Sequence, residues 1–194
     1  MSSENKPKNL EKNRIIVELC SGSGNWGKPW EEAGYQVMRY DIQKGSMWDV
    51  RLLGKLRMPI YGVLAGPPCD HLAGSGARWW KDKGVEKLFE GIAIVDACMR
   101  FILINKPVFW CLENPVGRLS KFLGPPKMTF QPWEYGDPYQ KRTCLWGEFR
   151  IPERTPVEPT DGQKIWKMAP GPERKAKRSI TPSGFARAFY EANK

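Results

Sequence analysis

Short apolar runs that stop at polar or glycine-rich residues recur along the first two thirds of the chain. RIIVELC (14–20) runs into SGSGNWG, and QVMRYDI (36–42) ends beside a carboxylate. IYGVLAG (60–66) runs into PPC, and PVFWCLENP (107–115) ends on Glu113 and Asn114. Each has the length of a buried strand. Between them, KPWEEAGY places Pro29 at a first helical position and stops at Gly34, which fits a short helix. From about Val85 to Asn105, Leu88, Ile92, Val95, Met99 and Ile102 recur at helical spacing and predict a long amphipathic helix. MWDV (47–50) holds a short element with a second carboxylate, and TCLWG (143–147) reads as a late strand. Phe185, Ala188 and Phe189 can share a helical face near the C-terminus. Strands alternating with helices predict an α/β fold, one mostly parallel sheet with helices on both faces. Such sheets bind ligands outside the carboxyl ends of their strands. Gly22–Trp26, Asp41, Cys69 and Glu113–Asn114 all fall at such ends.

The length of 194 residues suits one domain, expected over 14–194, with residues 1–13 as a solvated, mobile arm. An apolar fraction of 41% and nine tryptophans exclude a disordered chain. No apolar run approaches the ~18 residues that span a membrane. The polar N-terminus lacks the apolar core of a secretion signal, so a soluble, cytoplasmic protein is expected. Five widely spaced cysteines with no Cys-x-x-Cys pair, and a single histidine, His71, argue against zinc and against a disulfide framework. No metal is expected. A net charge of +10 favours polyanionic partners such as nucleic acid. Residues 148–178 are rich in proline and charge and read as an extended loop. Its latter half is basic, with Lys164, Lys167, Arg174, Lys175, Lys177 and Arg178.

ELCSGSG is a strand followed by Gly-x-Gly, a turn that lets a ligand approach the backbone closely. It is not a full dinucleotide-binding fingerprint, and a tight structural turn explains it equally well. A carboxylate about 20 residues later suits ribose hydroxyls, and Asp41 lies at that distance. Cys69 and Glu113 end strands expected to be neighbours. A thiolate there can attack an electrophilic carbon while a carboxyl group donates or accepts a proton. Taken alone, Cys69 reads equally as a buried packing residue, and Glu113–Asn114 as a cap or turn.

In order, these motifs resemble those of the DNA cytosine-5 methyltransferases. ELCSGSGNWG is similar to the family's first motif, which holds S-adenosylmethionine. AGPPCD resembles the Pro-Cys motif bearing the nucleophile, and CLENPVGRL the Glu-Asn motif that holds the target base. YGDPYQKRTCLWG is similar to the Gln-x-Arg-x-Arg motif, and SITPSGFARAFYEA to the last motif, whose helix returns to the cofactor site. The resemblance covers about residues 14–148 and 178–192 and implies a Rossmann-like class I methyltransferase fold. It implies that Glu18, Cys20, Gly22, Gly24, Trp26, Ile42 and Pro67 surround the cofactor. Asp41 would bind ribose hydroxyls, and Asp49 would reach the adenine amino group. Cys69 would attack C6 of cytosine, Glu113 and Asn114 would hold the base, and Arg142 would contact its carbonyl. A free thiol titrates near 8.5, so a cation such as Arg142 would raise its reactive fraction.

The chain departs from the family at several positions. Asp70 follows the nucleophile where the family has glutamine, and a carboxylate there raises the thiol's pKa unless it turns away. Cys20 replaces the phenylalanine of the first motif, and Asn25 the glycine after Gly24. Pro115 follows Glu113–Asn114 where valine is commoner. Gln140 occupies the first arginine position. The separate target-recognition domain of larger members is missing, as in short forms encoded by bacterial viruses, which would place the protein in the host cytoplasm. The resemblance therefore implies a monomer on double-stranded DNA with short sequence specificity. Its contacts would come from Lys164, Lys167, Arg174 and Lys175 and from Arg78 and Lys81 in the loop at 70–84. Trp79 and Trp80 in that loop would either stack on a flipped base or pack on the sheet edge. RNA or a free nucleotide as substrate, and a catalytically silent DNA-binding relative, are the alternatives.

Overall fold

The computed structural model describes residues 14–168 and 172–194, without the side chains of residues 166 and 172–175. The expected arm over residues 1–13 and the side chains of Arg174 and Lys175 lie outside the described residues.

Six strands form one sheet in the order β2-β1-β3-β4-β6-β5. They are β1 (Ile15–Leu19), β2 (Gln36–Tyr40), β3 (Gly62–Ala65), β4 (Phe109–Pro115), β5 (Met128–Phe130) and β6 (Thr143–Glu148). The first four pair in parallel, as their apolar runs predict. β1 and β3 are buried at every residue, the mark of a strand covered on both faces. β6 runs antiparallel to both β4 and β5. The direction of TCLWG carried no signal in sequence, and β5, at three residues, is too short for periodicity to reveal.

Alternate residues of each strand feed the two faces. Val17, Val63 and Leu112 meet Val95, Cys98, Phe101 and Ile102 of helix α2 (Trp80–Asn105) on one side. Ile16, Leu64 and Leu145 meet Trp30 of helix α1 (Lys28–Glu32) and Phe185, Phe189 and Tyr190 of the last helix on the other. Helix α2 spans Trp80–Asn105, but Gly84 breaks it at φ 73°, ψ −178°. Its regular part therefore starts at Val85, where the apolar spacing begins. Left-handed Lys106 ends it, donating its N–H to the Ile102 carbonyl. MWDV falls among 3-10 turns between Ile42 and Leu52.

The segment expected to be one extended loop contains helices α4 (Lys164–Lys167) and α5 (Pro172–Ser179), following the short α3 (Ser120–Leu123). PERKAKRS has good helix formers but no apolar stripe, so periodicity does not reveal it. The chain closes with α6 (Ser183–Asn193). Fully buried Phe185 stacks on Phe130 at a centroid distance of 3.8 Å and meets Tyr135 edge-on at 5.3 Å. Phe185→Ala is expected to cost about 3–5 kcal/mol. A loss below about 1 kcal/mol in denaturant unfolding would show that α6 is not anchored there. Among the described residues, no helix is long and apolar enough to cross a membrane, and no three His, Cys, Asp or Glu side chains cluster as metal ligands.

Candidate active site

Strand order reverses between β1 and β3, so the loops leaving their carboxyl ends diverge and open a crevice. A cleft of about 560 Å³, its open mouth included, lies there. One end is formed by Glu18 and the turn Cys20–Gly22, with Trp26 beneath it. The other is formed by Pro67, Cys69, Glu113, Asn114 and Lys141, and the segment 178–181 borders both.

The glycine-rich end is held in a strained turn. Cys20, Gly22 and Gly24 all adopt left-handed backbone, at φ 54°, 50° and 72°. Such a conformation at a non-glycine residue costs energy and concentrates at ligand sites. Asp41 braces the turn, accepting from Gly22 N–H at 2.7 Å and from Gln43 N–H at 2.9 Å. A carboxylate has about four acceptor sites, so two are not used by the turn, but Asp41 is buried and does not itself line the cleft. Buried Glu18 accepts from Arg39 Nε at 3.1 Å. Burial pushes its carboxyl up to about 7 despite Arg39. Gly27 is required beside it, because a Cβ there would sit 2.5 Å from Glu18 Oε2. Ser21 Oγ and Trp26 Nε1 are buried with no protein partner.

Other expected cofactor residues stand apart. Gly24 lines a neighbouring polar pocket with Lys28, Arg39 and Lys44. Ile42 is 54% exposed and does not line the cleft. Asp49 is turned to its own chain, gripped by Arg51 Nε at 3.0 and 2.9 Å and by Nη2 at 2.6 Å. That hydrogen bonding holds its carboxyl below the usual range.

At the thiol end, Asn114 Nδ2 donates to the Pro67 carbonyl at 2.9 Å and so fastens the loop carrying Cys69. Its Oδ1 is left buried and unpartnered. The Cys69 thiol is pushed above its ordinary range by burial first, then by the charges of Glu113 and Asp70. Lys141 and Arg178 oppose this. Lys141 Nζ lies 3.9 Å from Glu113 Oε1 and donates to the Ile180 carbonyl at 3.3 Å.

Arg142 is exposed and does not enter the cleft. The pairing register gives the reason. Glu113 pairs with Leu145 in the sheet, and alternation puts Thr143 on the same face. Just before the strand, Lys141 stays on that side, with its Nζ near Glu113, while Arg142 turns out to solvent. The cation beside Glu113 is thus Lys141, which motif spacing alone did not single out. Nor did it single out Arg178, because only the folded chain returns the C-terminal segment to the cleft.

None of the expected polyanion-binding residues with described side chains lines the cleft. Arg78 lies 5.0 Å over the ring of Trp79, which is 51% exposed. Trp80 packs instead beneath Arg118, at 4.3 Å, so the pair divides between a surface role and packing. Lys81 and Lys167 are exposed. Lys164 is already paired with Asp161 at 2.5 Å.

No protein-family model and no curated protein matches the chain. Among solved structures, the fold is similar to that of a protein provisionally assigned as a DNA modification methyltransferase, encoded within an E. coli prophage, at 18% identity and a TM-score of 0.50. The match covers 70% of this chain and 46% of that one, so this chain spans under half of its neighbour's length. At that identity the likeness establishes the architecture alone, a Rossmann-like α/β sheet.

Proposed function

We propose that this chain is an S-adenosylmethionine-dependent DNA cytosine-5 methyltransferase. One observation carries the reading. A single cleft joins Cys69, Glu113 and Asn114 to a strained glycine turn braced by Asp41. The prophage-encoded neighbour, itself provisionally assigned to DNA modification, adds support at the level of fold.

The residues present fit the cofactor. Glu18 is a buried carboxylate suited to an ammonium group, and Asp41 retains acceptor sites for ribose hydroxyls. Ser21 Oγ and Trp26 Nε1 are unpartnered polar atoms at the same end. The bound cofactor would supply a methyl group made electrophilic by its sulfonium.

The protein's own part begins with Cys69, whose thiolate would add to C6 of cytosine. Glu113 would hold a proton at N3, which draws electron density out of the ring and makes that addition feasible. Electron density returned to C5 makes this carbon the nucleophile for methyl transfer. Loss of the C5 proton then expels Cys69 and restores aromaticity. Asn114 keeps the Cys69 loop in place through the Pro67 carbonyl. Lys141 would hold Glu113 in position and favour the thiolate. The target base would have to leave its stack, at a cost of a few kcal/mol. Exposed basic residues such as Arg78, Lys81 and Lys167 would supply phosphate contacts.

The cation beside Glu113 is Lys141, one residue before the motif arginine. Lys141→Ala is expected to lower methyl transfer about 10–100-fold, as for loss of a charged hydrogen-bonding group. Arg142→Ala should stay within about threefold. Equal losses would return the role to Arg142.

The test of the function is transfer of labelled methyl groups to duplex DNA, RNA and dCMP. It is paired with trapping on DNA containing 5-fluorocytosine, whose C5 carries no proton to lose. Label in DNA and a covalent adduct are expected. Label only in RNA or dCMP would replace the substrate and keep the chemistry. DNA binding without label or adduct would leave a silent relative.

A further inference from the structure

The end of α5 and its link to α6 form a stretch that borders the cleft and is bonded to three other segments of the chain. At its start, Arg178 Nη2 donates to Ser75 Oγ at 3.1 Å, in the 3-10 turn that follows the Cys69 loop. At its middle, Lys141 Nζ donates to the Ile180 carbonyl at 3.3 Å. At its end, Asn25 Nδ2 donates to the Thr181 carbonyl at 2.5 Å and to Ser183 Oγ at 3.3 Å. These ties hold Arg178 as a wall of the cavity that contains Cys69 and Glu113.

The two cations in that wall differ in what they already hold. Lys141 faces the carboxylate of Glu113. Arg178 meets a hydroxyl and, among the described residues, no carboxylate. A guanidinium carries five N–H donors in a fixed fork, and one bond to a serine leaves most of them unused. The partner matching that fork in shape and charge is a carboxylate or a phosphate. An uncharged hydroxyl leaves the guanidinium's charge and most of its donors available to an anionic group. The cofactor's carboxylate shares a carbon with its ammonium group and so belongs at the Glu18 end, whereas Arg178 is bonded to Ser75 after the Cys69 loop and acts on the Cys69 thiol. A base and its deoxyribose are neutral, which leaves the phosphate as the anion that a nucleotide brings to that end.

We propose that Arg178 grips the phosphate attached to the nucleotide whose base enters the cleft. This rests on reading the cleft as a cytosine methyltransferase site, and it adds a phosphate requirement to base recognition. The link then serves as a clasp, with Arg178 exchanging Ser75 for the phosphate or sharing itself between them.

The test compares dCMP with deoxycytidine by calorimetry. The intact chain is expected to bind dCMP about 10–100-fold more tightly, the range for a charge-assisted bond. Arg178→Ala should bind the two equally, and Arg178→Lys, which keeps the charge without the fork, should recover part of the preference. Ser75→Ala breaks the bridge but leaves the guanidinium and should keep the preference in full. The proposal is overturned if the intact chain shows no phosphate-dependent binding. It is also overturned if Arg178→Ala keeps the preference, or if Ser75→Ala loses it as Arg178→Ala does, since the contact would then be structural. Trapping with 5-fluorocytosine reads the chemistry separately. A phosphate preference lost in Arg178→Ala but accompanied by no adduct would sink the methyltransferase reading and keep the clasp.

Discussion

Cys69→Ala is expected to lower methyl transfer by at least about 10⁴-fold and to abolish the 5-fluorocytosine adduct. Removal of a nucleophile that acts as a unit with its neighbours commonly costs on the order of 10⁴–10⁶. The surroundings of Cys69 add a pH signature. Burial, Glu113 and Asp70 all raise its thiol, so little thiolate exists at neutral pH. The rate of adduct formation should therefore rise with pH through the neutral and weakly alkaline range, about tenfold per unit until the thiol titrates. Asp70→Asn removes one of the raising charges and should move that rise to lower pH. Adduct formation that survives Cys69→Ala within tenfold would place the nucleophile elsewhere. A flat profile in the intact chain would show that proton loss from the thiol does not limit the step.

What the sequence made legible follows from which elements are buried on both faces. β3 reads as an unbroken apolar run, and β1 as one interrupted only by Glu18, because neither face of either strand meets water. With them came the strand ends, and hence Gly22, Cys69 and Glu113 in one cleft. Long-range pairing was not legible. The antiparallel pairing of β6 with β4 brings Lys141 and not Arg142 beside Glu113, and no local pattern encodes it. Helix α5 is equally silent, since a basic helix without an apolar stripe reads like a solvated loop. Asp49 shows the converse. The resemblance implies a ligand contact for it, but the nearby Arg51 satisfies it first.

Glu18→Gln is expected to stabilise the fold and to weaken cofactor binding at the same time. The carboxyl sits at about 7 in the folded chain against an ordinary value of 4.5. Its folded value is raised, so between these limits the folded state holds a proton that the unfolded state has released. Stability therefore falls as pH rises from about 4.5 to 7, and the full penalty persists above 7. The size is about 3 kcal/mol from the linkage relation, an upper figure for a group that also holds Arg39. Glutamine can still accept from Arg39 and carries no charge to desolvate. The variant should thus unfold at higher denaturant above pH 7 and lose the slope between pH 5 and 7. Its affinity for S-adenosylmethionine should drop about 10–100-fold, because a neutral amide cannot pair with the ammonium group. A buried charge retained against stability is the pattern of a binding site. Unaltered unfolding across that pH window would show that Arg39 already compensates the charge. Unaltered cofactor affinity would leave Glu18 as a brace for Arg39 and assign the ammonium group elsewhere.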